Sequence, residues 1–182
     1  MKLAYADPPY LGFCQKYGHE HNDSGGRAFD SLCWDDPQTH KLLFDYLAAH
    51  YDGWAYSLTS TTLAQLLPMV PHARVAAWVK PFASFKRGVR IAYAWEPVLF
   101  VPARRAQQEG VPYGRDFIAE SITLRRGFTG TKPERVCRWV LDLLGYVDGD
   151  EVTDLFVGTG PMQRALAQAP LDLYSATAEE AI

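Results

Sequence analysis

Asp7-Pro8-Pro9-Tyr10 holds the residues of this chain best suited to chemistry. The Asp7 carboxylate can accept a hydrogen bond from an exocyclic amine, and the Pro8 carbonyl, in a segment that cannot continue a ladder, can accept a second. Tyr10 offers a ring on which a flat base can stack. That chemistry is the capture of a planar heterocycle by its amino group. It needs a rigid support, and Leu3-Ala4-Tyr5-Ala6 supplies one: a short apolar run stopped by an acid and two prolines reads as a buried strand delivering polar groups to a sheet's edge. Asp-Pro-Pro is also an ordinary turn, so other stretches must decide between the two readings.

Two later stretches point to a second ligand. Glu151-Val152-Thr153-Asp154-Leu155-Phe156-Val157-Gly158-Thr159-Gly160 reads as a strand running into a glycine-rich turn, with a helix expected over Met162 to Ala169. Glycines there let the backbone approach a ligand closely, and open sheets bind ligands at the carboxyl ends of their strands. Upstream, Thr131-Lys132-Pro133-Glu134 starts a helix whose Val136, Val140, Leu143 and Leu144 share a face and whose end is set by Gly145. Pro133 is expected at the helix start, where a missing backbone donor costs little.

Together these three stretches resemble the motifs of the S-adenosylmethionine-dependent amino-methyltransferases, which methylate adenine N6 or cytosine N4. Asp7, Pro8, Pro9 and Tyr10 match the Asp-Pro-Pro-Tyr catalytic motif. Lys132 and Pro133 match the Lys-Pro motif, and Asp154, Phe156, Gly158, Thr159 and Gly160 match the cofactor motif. The amine motif precedes the cofactor motif, so the chain resembles the circularly permuted, beta-class members. The resemblance implies an α/β, Rossmann-like methyltransferase fold with a mostly parallel central sheet flanked by helices. It implies S-adenosyl-L-methionine as cofactor, Lys132 near its methionine carboxylate, no metal, and DNA as substrate, single- or double-stranded, with RNA or a small molecule left open. An Asp in the first motif position is the adenine-leaning form, which places adenine N6 ahead of cytosine N4. The rival reading is a methyltransferase-like subunit that binds nucleic acid without turnover and supports a partner.

One stretch departs from the family. Leu171 to Ala176 reads as the next strand, where an acid at the carboxyl end would bind the cofactor ribose, yet Asp172 comes early and Glu179 and Glu180 late. The chain stops at Ile182, so the expectation is a sheet truncated at its C-terminal edge. A homodimer or a partner subunit would then complete the adenine pocket.

The supporting elements follow in order. Asp36-Pro37 opens a helix carrying Leu42, Leu43, Tyr46, Leu47 and His50; Trp54 to Leu58 is a strand; Ser60 caps a helix with Leu63, Leu66 and Leu67 that Pro68 and Pro71 break; Arg74 to Lys80 is a third strand. Ile91 to Val101 returns as a strand or strand pair, with core packing expected for Trp78, Trp95 and Phe100, and base or sugar contact for Phe82 and Phe85. The 182 residues fit a single domain: a catalytic half (1–101), a short basic connection that is the candidate target-recognition loop (102–130), and a cofactor half (131–182).

Charge singles out the middle of the chain. Thirteen of the eighteen Lys and Arg residues lie between Arg74 and Arg138 against five acids, so that segment carries +8 within a chain of net −3. A phosphate backbone is the natural partner of such a segment, with Lys86, Arg87, Arg104, Arg105, Arg125 and Arg126 as the candidate contacts; a solvated basic face is the plainer reading. His19, Glu20, His21 and Asp23 lack a second ligand pair and read as loop polarity rather than a metal site. Three scattered cysteines and the lack of a long apolar run set the expectation of a cytoplasmic protein with reduced thiols and no membrane partner.

Overall fold

The computed structural model describes residues 1–13, 34–82, 88–104, 114–122 and 131–168. Six strands and four α-helices are formed there. In chain order they are β1 (Lys2–Ala6), α1 (Pro37–His50), β2 (Gly53–Ser57), α2 (Leu63–Leu66), β3 (Arg74–Val79), β4 (Trp95–Val101), β5 (Phe117–Ala119), α3 (Glu134–Leu144), β6 (Glu151–Asp154) and α4 (Pro161–Ala167).

The pleat of β1 explains the layering. Successive side chains leave a strand on opposite faces. Leu3 and Tyr5 pack with Val136, Val140 and Leu144 of α3 and Met162 of α4 on one face. Ala4 and Ala6 pack with Leu43, Phe44 and Leu47 of α1 on the other. A strand buried on both sides reads as a continuous apolar run, which is what Leu3 to Ala6 shows. Helices on both faces make three layers.

Strand order is β5-β3-β4-β2-β1-β6. β1 pairs in parallel with β2 and β6, and β3 with β5, whereas β4 pairs antiparallel with β2 and β3. The sheet is therefore mostly parallel, with β4 alone reversed. Carboxyl ends of β1, β2, β3 and β6 share one edge with the start of β4.

Several expectations shift on inspection. The buried stripe of α1 is Thr39, His40, Leu43, Phe44 and Leu47, while Leu42 is 55% exposed. Asp36 does cap α1, accepting from the Gln38 amide at 2.9 Å. Thr62 rather than Ser60 is the N-cap of α2, which passes into a 3₁₀ turn at Leu67–Met69 because Pro68 cannot continue an α-helix. Pro133 is the N-cap of α3, with a φ of −60° that its ring fixes. The fourth strand begins at Trp95, not Ile91, and Trp95 is 38% exposed, whereas Trp78 and Phe100 are core residues. The short β5 falls where periodicity fades. The expected strand over 171–176 lies outside the described residues, as do Asp172, Glu179 and Glu180. No helix among the described residues is long and apolar enough to cross a membrane.

Candidate active site

Asp7 follows β1 in the same pleat phase as Leu3 and Tyr5, which directs it toward α3. Lys132, just ahead of α3, arrives from the opposite side. Its Nζ lies 3.0 Å from Asp7 Oδ1 and 3.0 Å from Oδ2, and 2.7 Å from the Tyr10 hydroxyl. The Tyr10 hydroxyl in turn reaches Asp7 Oδ1 at 3.0 Å and Glu96 Oε2 at 3.3 Å, so its one proton is shared between two carboxylates. Residues 125 positions apart thus form one cluster.

Glu96 and Lys80 complete it. Glu96 Oε2 is 3.3 Å from Lys132 Nζ, and Oε1 pairs with the Lys80 ammonium. Register brings them there: Glu96 stands opposite Trp78 in the β3–β4 ladder, and the Lys80 amide bonds the Ala94 carbonyl. Two carboxylates and two ammoniums make the cluster neutral overall. The two cations also lie over the Trp78 ring, Lys80 at 4.6 Å and Lys132 at 5.7 Å from its centroid.

The electrostatics keep these groups charged. Lys132 is 7% exposed, and burial works against its ammonium, but Asp7 and Glu96 outweigh that and hold its pKa well above the ordinary lysine value. Glu96 shows the mirror case: burial pushes its carboxyl up, while Lys132 and Lys80 pull it below the ordinary range. Burial, then the Asp7 and Glu96 charges, raise the Tyr10 hydroxyl and keep it protonated.

The glycine-rich turn sits beside this cluster. β6 lies against β1 with Asp154 opposite Tyr5, and the Leu155 amide donates to the Tyr5 carbonyl at 2.9 Å. Asp154 Oδ1 accepts from the Phe156 amide at 3.1 Å, while burial, reinforced by the Asp7 charge, pushes its pKa up to about 6. Phe156 packs edge-on against Trp34. Gly158 and Gly160 have φ of +50° and +72°, a region that favours glycine. Thr159 bonds Thr131 at 3.5 Å, and Arg164 ties the Thr159 carbonyl at 2.6 Å while pairing with Glu134. The turn is therefore stitched to the segment that carries Lys132.

At 12% sequence identity, the crystal structure of the M1.HpyAVI–SAM complex matches this chain with a TM-score of 0.54, over 91% of this chain and 77% of that one. The fold is that of a Rossmann-like methyltransferase. No family model and no curated protein matches the sequence.

Within this methyltransferase fold the candidate residues separate into groups. Asp7, Pro8, Pro9, Tyr10, Lys132 and Pro133 meet at the carboxyl edge, with Asp154, Phe156, Gly158, Thr159 and Gly160 alongside. Arg104 does not join them. It follows β4, whose reversed direction carries it to the opposite edge, and its guanidinium is held by Asp150 at 2.6 and 2.9 Å and by the Gly145 carbonyl at 2.8 Å. Lys86, Arg87, Arg105, Arg125, Arg126 and Phe85 lie outside the described residues, as do His19, Glu20, His21 and Asp23; Phe82 is described and 56% exposed. Among the described residues no cluster of His, Cys, Asp or Glu is arranged to hold a metal. Reading the sequence missed Lys80 as a site residue and left Glu96 without a role. The available signal was a charged residue at each end of an apolar strand pair, where polar groups meet the carboxyl edge.

Proposed function

We propose that this chain is an S-adenosylmethionine-dependent methyltransferase acting on an exocyclic amine of a nucleobase in DNA, adenine N6 ahead of cytosine N4, in the cytoplasm. The observation that carries the reading is the meeting of Asp7 and Tyr10 with Lys132 at the carboxyl edge of a methyltransferase fold.

The residues beside that edge fit the cofactor. Its methionine end is a zwitterion, and here Lys132 is a cation held charged while Asp154 is a carboxylate one strand away. Among the described residues, a Cβ on Gly158 would meet only the Phe156 carbonyl, at 3.8 Å. When bound, S-adenosylmethionine supplies an activated methyl group.

The chain's own residues do the rest. Asp7 and the Pro8 carbonyl accept the two amine hydrogens and favour a more tetrahedral nitrogen, whose lone pair is withdrawn from the ring and aimed outward. As positive charge develops on that nitrogen, which takes the methyl group and leaves a neutral thioether behind, the Asp7 carboxylate stabilises it; the methylated nitrogen then loses one proton to water. Tyr10 holds the base by stacking, with its ring fixed by hydrogen bonds from its hydroxyl to Asp7 and Glu96. Alignment and electrostatics supply most of the rate. A duplex substrate pays a few kcal/mol to flip its base out, a cost that a single strand largely avoids.

The test supplies methyl-labelled S-adenosylmethionine with single- and double-stranded DNA and with RNA, then identifies the labelled nucleoside. N6-methyladenine is the expected product. Nucleic-acid binding without detectable cofactor binding would instead support the non-catalytic subunit.

A further inference from the structure

Lys132 already occupies what a substrate amine must use. Its ammonium touches both Asp7 oxygens at 3.0 Å, and the Tyr10 hydroxyl takes a further place on Oδ1. A carboxylate offers about four acceptor sites, so little capacity is left, and the adjacent cation neutralises the charge an amine would be drawn to. Removing Lys132 from Asp7 with nothing in exchange would leave a buried ammonium with only the Tyr10 hydroxyl and a 3.3 Å contact to Glu96, a costly state.

Glu96 offers the exchange. Its Oε2 stands 3.3 Å from Nζ, longer than the roughly 2.7–2.9 Å of a formed charge-assisted bond, so this contact can tighten as the Asp7 contacts lengthen. Lys80 on Oε1, itself over the Trp78 ring, fixes the carboxylate in place. Glu96 is the second residue of β4, which runs opposite to its neighbours β2 and β3, and so reaches this edge on rigid backbone.

We propose that Glu96 is a positioning residue that draws Lys132 off Asp7 as the substrate amine binds. Asp7 then exchanges an ammonium for the amine without stranding a buried charge. This rests on the reading of Asp7 as the amine acceptor.

The test measures binding, without cofactor, of a single-stranded DNA carrying one adenine in a thymine tract and of the same strand with purine, which lacks the 6-amino group, at that position. A cytosine and 2-pyrimidinone pair covers the alternative amine. Wild type prefers the amine-bearing strand of one pair by roughly tenfold, the worth of one hydrogen bond to a charged acceptor. Glu96→Gln loses most of that preference because the amide cannot hold Lys132 away from Asp7. Lys132→Met alone keeps the preference, and Lys132→Met combined with Glu96→Gln restores it. A merely structural defect would weaken both strands alike and gain nothing from the second substitution. Full preference in Glu96→Gln, its loss in Lys132→Met, or no recovery in the double variant overturns the proposal while leaving the amine site standing. Equal binding of both strands of each pair by wild type overturns the reading of Asp7 along with it.

Discussion

Lys132 and Asp154 face the same low-dielectric edge and answer it differently. Lys132 meets two carboxylates and stays charged, whereas Asp154 has Asp7 as a neighbour of its own sign, and burial raises its pKa to about 6. A raised carboxyl pKa means that the folded chain binds the proton more tightly than the unfolded one. The stability this contributes is complete below about pH 4, the unfolded value, and is lost as pH rises toward 6. Asp154→Asn should therefore be more stable than wild type at pH 7 by about 1–2 kcal/mol, after allowance for partial solvent screening. Urea melts should show that gap closing near pH 3.5. An equal gap at both pH values would mean that Asp154 carries no such penalty.

At the scale of elements, the start of β2 packs closely on the segment after β4. A Cβ built on Gly53 would stand 2.5 Å from the Ala103 amide nitrogen and 2.8 Å from the Ala103 Cβ, contacts that involve backbone and cannot swing aside. Gly53→Ala should destabilise the fold by about 1–3 kcal/mol, read as a shift in the urea midpoint at unchanged slope. β1, α3 and the β6 turn were all legible in the sequence, because a continuous apolar run, a helix ended by Gly145, and paired glycines each leave a local trace, although α3 is buried more widely than its Val136–Val140–Leu144 stripe, Arg138 and Trp139 included. The reversal of β4 was not, since apolar spacing carries no information about strand direction. For the same reason Trp95 looked like core: nothing local separates it from Trp78, and only its place at the start of β4 leaves it 38% exposed. The Glu96–Lys80–Lys132 array was hidden because it exists only through strand register and the α3 approach, both long-range. Asp7, Tyr10 and Lys132 could be named individually, but not their direct contact.

For the whole molecule, the DNA substrate proposed above makes the charge segregation along the chain testable through salt dependence. Arg104 is committed to Asp150 at the far edge, so on that proposal any phosphate contact would fall to other members of the basic segment. Replacing Arg125 or Arg126 by Ala should lower the slope of log K against log salt for single-stranded DNA by about 0.7 for each phosphate that is no longer neutralised, with little dependence on sequence. An unchanged slope would remove that residue from the interface. On the function proposed above, one methyltransferase domain joins an amine half at Asp7 to a cofactor half at Lys132 and the β6 turn. The most direct test of that function is labelled methyl transfer by wild type and Asp7→Ala, with cofactor binding measured on both. The account predicts transfer by wild type, a loss of roughly a hundredfold or more in the variant, and cofactor binding retained by both. Transfer undiminished by Asp7→Ala would contradict it.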